Sequence, residues 1–172
     1  MKRGRAMRIK KAAAMTLVFL ILTAVFCSCK DNKTPFSSQN FVMDTTLSQK
    51  IYGKSDVSDE VYTSLLNWEN TFSAFKENSQ IYKINNAGGK ATKVSQETFG
   101  LVKKGVEYSK ESSGRFDLSV YPLSSLWKKA IEDKSLPQNS EVLDRKSRVD
   151  FSKIALDEAN LSITVPEGMG LD

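Results

Sequence analysis

Six lysines and arginines (Lys2, Arg3, Arg5, Arg8, Lys10, Lys11) crowd the start of the chain with no acid among them, and the next charge is Lys30. Between them Ala12 to Phe26 is an uncharged, mostly apolar run of fifteen residues. This run constrains the fold most, because it sets the N-terminus apart from any globular core. It is short of the roughly 20 apolar residues that span a bilayer as a helix, and a basic flank followed by a short apolar run is the form of an export signal. Ser28 precedes Cys29 in the pattern at which a bacterial lipoprotein signal is cut and the new N-terminal cysteine takes up lipid. Phe26 stands where such signals usually carry leucine, Cys27 competes for the lipid, and an uncleaved signal anchor is the alternative. The expectation is a signal peptide over residues 1–28 and lipidation at Cys29. The domain would then be exported and lipid-anchored to a bacterial membrane, facing the periplasm or the cell exterior.

Cutting before Cys29 removes the six positive charges and takes the formal net charge from +5 to −1. The basic character therefore belongs to the signal and gives no ground for a nucleic-acid partner. The two cysteines, Cys27 and Cys29, both lie at the signal boundary, so the exported part uses no disulfide. About 140 residues remain, enough for one domain burying roughly two thirds of its unfolded surface. The chain contains no histidine, which excludes Ser-His-Asp and Cys-His catalysis and histidine metal clusters. Only carboxylates, hydroxyls, amides and the backbone remain for chemistry.

Residues 29–40 are polar, with Pro35 and two serines, and read as an extended tether. The fold is expected to start near Phe41. Phe41 to Tyr52 alternates as one strand, with Phe41, Met43, Thr45, Leu47 and Ile51 on one face and Gly53 ending it. Asp56 or Ser58 can cap a helix that carries an apolar stripe of Val61, Leu65, Trp68, Phe72 and Phe75, a stripe that calls for burial. Asn78, Ser79 and Gly88-Gly89 bracket a short apolar piece, Ile81 to Ile84. Ser95 introduces a second amphipathic segment in which Phe99, Val102, Val106 and Tyr108 share a side, ending at Gly114. Phe116 to Tyr121 reads as a short extended segment interrupted by Pro122, followed by a loop or short helix around Leu126 and Trp127. Pro137 to Lys146 reads as a polar surface helix. Val149 to Leu156 and Leu161 to Val165 read as a hairpin turning at Asp157 to Asn160, and a further strand is expected after Gly168, cut at Asp172. Strands interleaved with helices predict an α+β fold.

Singly, the candidate residues are ambiguous. Asp117 could be a carboxylate held near a ligand, but aspartate close to glycine is commonly turn chemistry. Phe75 could stack on a ring or pack in the core, and Met43 could meet a flat ligand or fill a core gap.

Four strings in one order go further. Met43-Asp44-Thr45-Thr46, Asn70 to Asn85 (NTFSAFKENSQIYKIN), Ser113 to Trp127 (SGRFDLSVYPLSSLW) and Gly170-Leu171-Asp172 together resemble the ApbE family of FAD:protein FMN transferases. They stand for its Met-Gly-Thr, Ser-x-Ile-x-x-Leu-Asn, Gly-(small)-(Phe/Met)-Asp-x-(Thr/Ser)-Val-x-Pro-Leu-x-x-Leu-Trp and Leu-Asp-Leu-Gly motifs. The third is the strongest match, and the fourth breaks off after its aspartate. The resemblance covers residues 41–172, about the first half of a typical member, so the chain is expected to hold the N-terminal part of a longer domain.

The resemblance implies an ApbE-like, T-fold-related sheet with packed helices. It implies that Met43, Phe75, Arg115, Phe116, Asp117 and Asp172 line a FAD site. It departs at Asp44, where the family has glycine, and at Arg115, where it has a small residue. The reaction implied is attack by a Ser/Thr hydroxyl of a target flavoprotein on the FMN-side phosphorus of FAD, with AMP leaving and Mg2+ neutralising the pyrophosphate. The family's metal ligands match nothing in this sequence, so no metal residue is assigned and this polypeptide alone is expected to supply only part of the site. Two other readings are a flavin-binding or scavenging lipoprotein without transfer chemistry, and a structural or adhesive lipoprotein in which Trp68, Phe75 and Trp127 are plain core.

Overall fold

The computed structural model describes residues 34–172. The expected signal peptide, Cys27, Cys29 and the first part of the expected tether lie outside the described residues.

The described chain opens with an antiparallel hairpin, β1 (Phe36–Val42) and β2 (Thr45–Ile51), in register from Phe36↔Ile51 to Val42↔Thr45. Residues 36–40, read as tether, are therefore paired strand, and the single strand expected over Phe41 to Tyr52 is instead folded back at its middle. The fold-back is a two-residue turn, Met43 (φ 54°) and Asp44 (φ 56°). Positive φ at both central positions is what a type I′ turn requires, because only that hand of turn follows the right-handed twist of paired strands. The apolar alternation marks strand-forming residues on both sides of the turn, but periodicity carries no mark for such a turn when neither residue is glycine.

Helix α1 (Ser58–Phe72) follows the hairpin. The Asp56 carboxylate accepts from the Ser58 amide at 2.9 Å and from its hydroxyl at 2.6 Å, satisfying a first-turn donor, but the cap position itself falls on Val57, which makes no side-chain bond, so neither Asp56 nor Ser58 is the cap. The apolar stripe is covered unevenly: Phe72 and Phe75 pack against the core, whereas Val61 and Trp68 stay exposed. The expectation of a fully buried stripe is corrected, since only the C-terminal end of α1 reaches the core.

The piece between the breakers is a short helix, α2 (Gln80–Asn85), capped by Ser79, whose side chain accepts from the Tyr82 amide. Strand β3 (Thr92–Lys93) leads to α3 (Gln96–Glu111), capped by Ser95. Phe99, Val102, Val106 and Ser109 form its buried side; Tyr108 is exposed, off the buried side, because the stripe continues at 109 and not at 108. The helix closes with the amides of Ser113 and Gly114 donating to Lys110 and Ser109, both residues at positive φ, which satisfies the last free carbonyls.

Pro122 does not interrupt a strand. It stands in the first turn of α4 (Tyr121–Glu132), where its missing N–H is no loss and its fixed φ suits the helix. Residues 116–120 are turn and not extended. Helix α5 (Asn139–Lys146) lies beside α4 as a polar surface helix. The last hairpin is shorter than expected, because Phe151–Lys153 is a 3-10 turn; β4 (Ala155–Asp157) and β5 (Ser162–Thr164) pair antiparallel, in a three-stranded sheet of order β3-β5-β4. No strand follows Gly168 among the described residues. The core, including Ile84, Phe99, Val102, Ile163, Val165 and Leu171, lies between this sheet and helices α2 and α3. Helices packed on small antiparallel sheets give the α+β class read from the sequence. Among the described residues no helix is long and apolar enough to cross a membrane.

Candidate functional site

The four ordered strings converge at one place. The Asn85 side chain acts on the backbone of Leu171 in both directions: its Oδ1 accepts from the Leu171 amide at 2.7 Å and its Nδ2 donates to the Leu171 carbonyl at 2.9 Å. Asn85 thus substitutes for a neighbouring strand, which is why residues 169–172 need no sheet partner. The Asp172 amide donates to the Leu118 carbonyl at 3.0 Å. Gly170 is pressed so close to Tyr121 that a Cβ would fall 2.4 Å from Cδ1 and 3.0 Å from Cγ of that ring, and 3.1 Å from Asn85 Oδ1. No side chain fits there without displacing backbone or ring. The second, third and fourth strings are therefore locked together through Asn85, Leu118, Tyr121 and Gly170-Leu171.

The lock presents Asp172 between two clefts. One, of about 310 Å³, is lined by Met43, Asp44, Trp68, Glu69, Phe75 and Asp172, with Phe72 at its floor. The other, of about 200 Å³, is apolar and lined by Phe72, Leu101, Val102, Phe116, Leu118 and Asp172. Phe72 and Asp172 border both.

Of the residues expected at the site, Met43, Phe75 and Asp172 come together in the first cleft, and Phe116 joins them across Asp172 in the second. Met43 is exposed at its position in the strained turn. Phe75 is half-buried and follows the end of α1, where its amide donates to Ser73 Oγ; its ring packs on Tyr121 with centroids 5.6 Å apart and planes tilted by 41°. Burial, with Tyr82 and Asp172 nearby, holds the Tyr121 hydroxyl above its ordinary range.

Arg115 and Asp117 are placed differently from the expectation. Arg115 follows the two positive-φ residues that end α3, is exposed, and lines neither cleft. Asp117 lines neither cleft, because its carboxylate is engaged within the protein. Oδ1 accepts from the Ser119 amide at 2.8 Å and the Ser119 hydroxyl at 2.7 Å, and Oδ2 accepts from the Phe151 amide at 3.2 Å. Ser119, fully buried, in turn accepts from the Asp150 amide at 2.8 Å. In this structure the Asp117 carboxylate ties the bend between α3 and α4 to the 3-10 turn, holding Phe116 and Leu118 beside the second cleft.

Sequence reasoning missed Lys128. Its Nζ lies 3.0 Å from Asp44 Oδ2 and 4.6 Å from the centroid of the Phe75 ring. Nothing in the spacing of a lysine on a helix could mark a partner 84 residues away. Asn85 lies in the second string, and the partner of its amide, the Leu171 backbone, is 86 residues away and carries no local signal. Trp68 and Trp127 are each nearly half exposed, so neither is the plain core of the structural reading.

Among the described residues no group of three or more histidine, cysteine, aspartate or glutamate side chains converges to hold a metal ion.

Residues 43–172 match the sequence profile of the ApbE family. Over 145 residues the chain is 25% identical to a FAD:protein FMN transferase of Klebsiella pneumoniae (strain 342), covering 83% of this chain and 46% of that protein. Over 162 residues it is 22% identical to a FAD:protein FMN transferase of Treponema pallidum (strain Nichols), covering 90% of this chain and 44% of that protein. The chain spans about half the length of these curated relatives. The fold is shared with the crystal structure of the ApbE protein from Thermotoga maritima, with a TM-score of 0.74 at 20% identity, covering 81% of this chain and 47% of the other. It is shared too with the apo form of the Pseudomonas stutzeri flavinyl transferase ApbE, with a TM-score of 0.62 at 18% identity over 81% and 47% of the two chains.

Proposed function

Because this chain belongs to the ApbE family, we propose that it serves FAD:protein FMN transfer, its two clefts supplying part of the FAD-binding surface. The observation that carries the reading is the lock itself. Asn85 bonded to Leu171, and Gly170 against Tyr121, bring strings scattered along the chain to one point and leave Met43, Phe75, Phe116 and Asp172 around it. An apolar and aromatic surface edged by the carboxylates of Asp44, Glu69 and Asp172, the first two paired with Lys128 and Lys76, suits a flat, largely apolar ring with a polar edge. The curated relatives carry the transferase name, and this supports the same reading.

In that reading Met43 and the rim of Phe75 meet the flavin, and Phe116 walls the apolar side. Asp172 stands where both clefts open, next to the polar part of the substrate. Asp117 and Ser119 act behind the surface, fixing the bend that carries Phe116. The FMN moiety would pass to a Ser/Thr hydroxyl of a target flavoprotein and AMP would leave. Mg2+, when bound, would neutralise charge on the pyrophosphate; the residues described do the binding and orienting. Export, with a lipid on Cys29 tethering the domain to a bacterial membrane, belongs to the same proposal and rests on the basic and apolar N-terminal pattern.

The test is to incubate the intact product of the reading frame containing this chain with FAD, Mg2+ and an acceptor domain bearing a Ser/Thr target, then read flavin fluorescence after denaturing electrophoresis. Covalent flavin on the acceptor supports transfer. FAD binding without labelling favours the scavenging lipoprotein, and no flavin binding at all removes both. For the anchor, Cys29→Ala should move the protein from the membrane to the soluble fraction while Cys27→Ala leaves it in place.

A further inference from the structure

One wall of the larger cleft is built unlike the rest. Met43 and Asp44 hold left-handed backbone at φ 54° and 56°, a conformation glycine adopts freely and methionine does not. Such strain persists only where the surroundings over-determine it. The paired strands supply one constraint, and the other is electrostatic. Lys128 Nζ on α4 meets Asp44 Oδ2 at 3.0 Å, and the same ammonium stands over the Phe75 ring, 4.6 Å from its centroid. Helix α4 holds Phe75 a second time through the Tyr121 ring.

We propose that Lys128 is a positioning residue of this cleft, clamping the hairpin tip to the Phe75 ring and so fixing where Met43 and Phe75 stand relative to each other. One ammonium satisfies both contacts, a carboxylate at hydrogen-bond distance and an aromatic face within cation–π range. With one face taken by Lys128, the Phe75 ring offers a ligand its rim or its opposite face. The clamp joins two exposed side chains, so it weakens as salt screens them.

The clamp itself does not depend on flavin; its effect on a ligand rests on the function proposed above, and the test separates the two. Hydrogen exchange at the amide of Thr45, which closes the turn opposite Val42, is measured first, without ligand. Asp44→Asn and Lys128→Ala should each speed exchange about threefold to fivefold, the span of an exposed ion pair. The double variant should do no more than the stronger single one, since the two side chains form one interaction. Exchanging the charges, Asp44→Lys with Lys128→Asp, should restore slow exchange to within about twofold of the original, a rescue that a merely steric role would not give. Unchanged exchange in the single variants, additive effects in the double, or no rescue by the exchange overturns the clamp. Binding of riboflavin, a neutral probe on which the lysine exerts no net Coulomb pull, is measured next by fluorescence quenching. A threefold to fivefold weaker Kd in both single variants supports the positioning role, and unchanged Kd overturns it. If exchange follows the expected pattern but the unaltered protein binds no riboflavin, the flavin reading falls while the clamp stands.

Discussion

The two sides of the larger cleft are held by different physics. On one side, Gly170 to Asp172 is clamped by a partly buried amide, a backbone carbonyl and an aromatic ring, with no room for one added carbon. On the other, Met43 and Asp44 sit exposed in strained backbone, held by strand pairing and a surface ion pair. Buried hydrogen bonds in a low-dielectric site are costly to lose, whereas an exposed ion pair contributes little and is screened. The first side is a fixed reference; the second is adjustable against it.

The largest effect that would test this contrast is at Gly170. Gly170→Ala should destabilise the fold by about 3 kcal/mol, through overpacking against Tyr121 and Asn85, read as a lowered urea midpoint. A midpoint shift near zero would mean that the ring moves aside and the reference is not fixed. Asn85→Ala should follow at about 2 kcal/mol, since it leaves the amide and carbonyl of buried Leu171 without their partner. Asp117→Ala should cost about 1–2 kcal/mol by releasing the Ser119 and Phe151 donors. Asp117→Asn keeps the Oδ1 acceptor for Ser119 but sets an amide donor against the Phe151 N–H, so it should recover about half of that loss while keeping flavin binding. Loss of flavin binding in a stable Asp117→Asn protein would return the carboxylate to the ligand.

On the adjustable side the effects are smaller. Asp44→Gly relieves left-handed strain of roughly 1 kcal/mol and forfeits an ion pair of up to about 1 kcal/mol. The net stability should change by less than about 1 kcal/mol in either direction, and a change above 2 kcal/mol in the melting analysis would show that the tip is not the loosely held side. The smallest effect is pH-dependent and lies outside the cleft. Hydrogen bonds from Ser58, Ser152 and Asn160 hold the carboxyls of Asp56, Asp150 and Asp157 below the usual carboxylate range. A folded value below the unfolded one gives stability that is present above about pH 4 and lost as pH falls through the lowered values. The difference in denaturant midpoint between the unaltered protein and Asp56→Asn should therefore shrink between pH 6 and pH 3. A difference that stays constant across that window would remove the Asp56 contribution.

The parts of this fold legible in the sequence are those whose causes lie within one or two helical turns. Ser95 and the 99-102-106 spacing announce α3, and Asp56 meets the first turn of α1 two residues on. Ser79 lies one position before a helix that was seen only as an apolar piece between breakers. Local rules failed where two local outcomes compete. Pro122 suits a break or a helix start, because the same fixed φ serves both, and it starts α4; the Met43-Asp44 turn carries no glycine to announce it. At the site, Met43, Phe75, Phe116 and Asp172 were picked out by resemblance to ordered motifs, and the structure gathers them around two adjoining clefts.

By itself the sequence determined α1, α3 and α5, the strand-forming character of much of 41–51 and 155–164, the α+β class and the family, since propensity, capping and apolar period are written in neighbouring residues. Only the tertiary structure decided what the functional side chains face. Asp117 finds Phe151 across 34 residues, Lys128 finds Asp44 across 84, and Asn85 finds Leu171 across 86. The reason is physical: a carboxylate, an ammonium or an amide accepts many partners equally well in the unfolded chain, and only closure of the fold brings one of them within hydrogen-bond distance and keeps the others away.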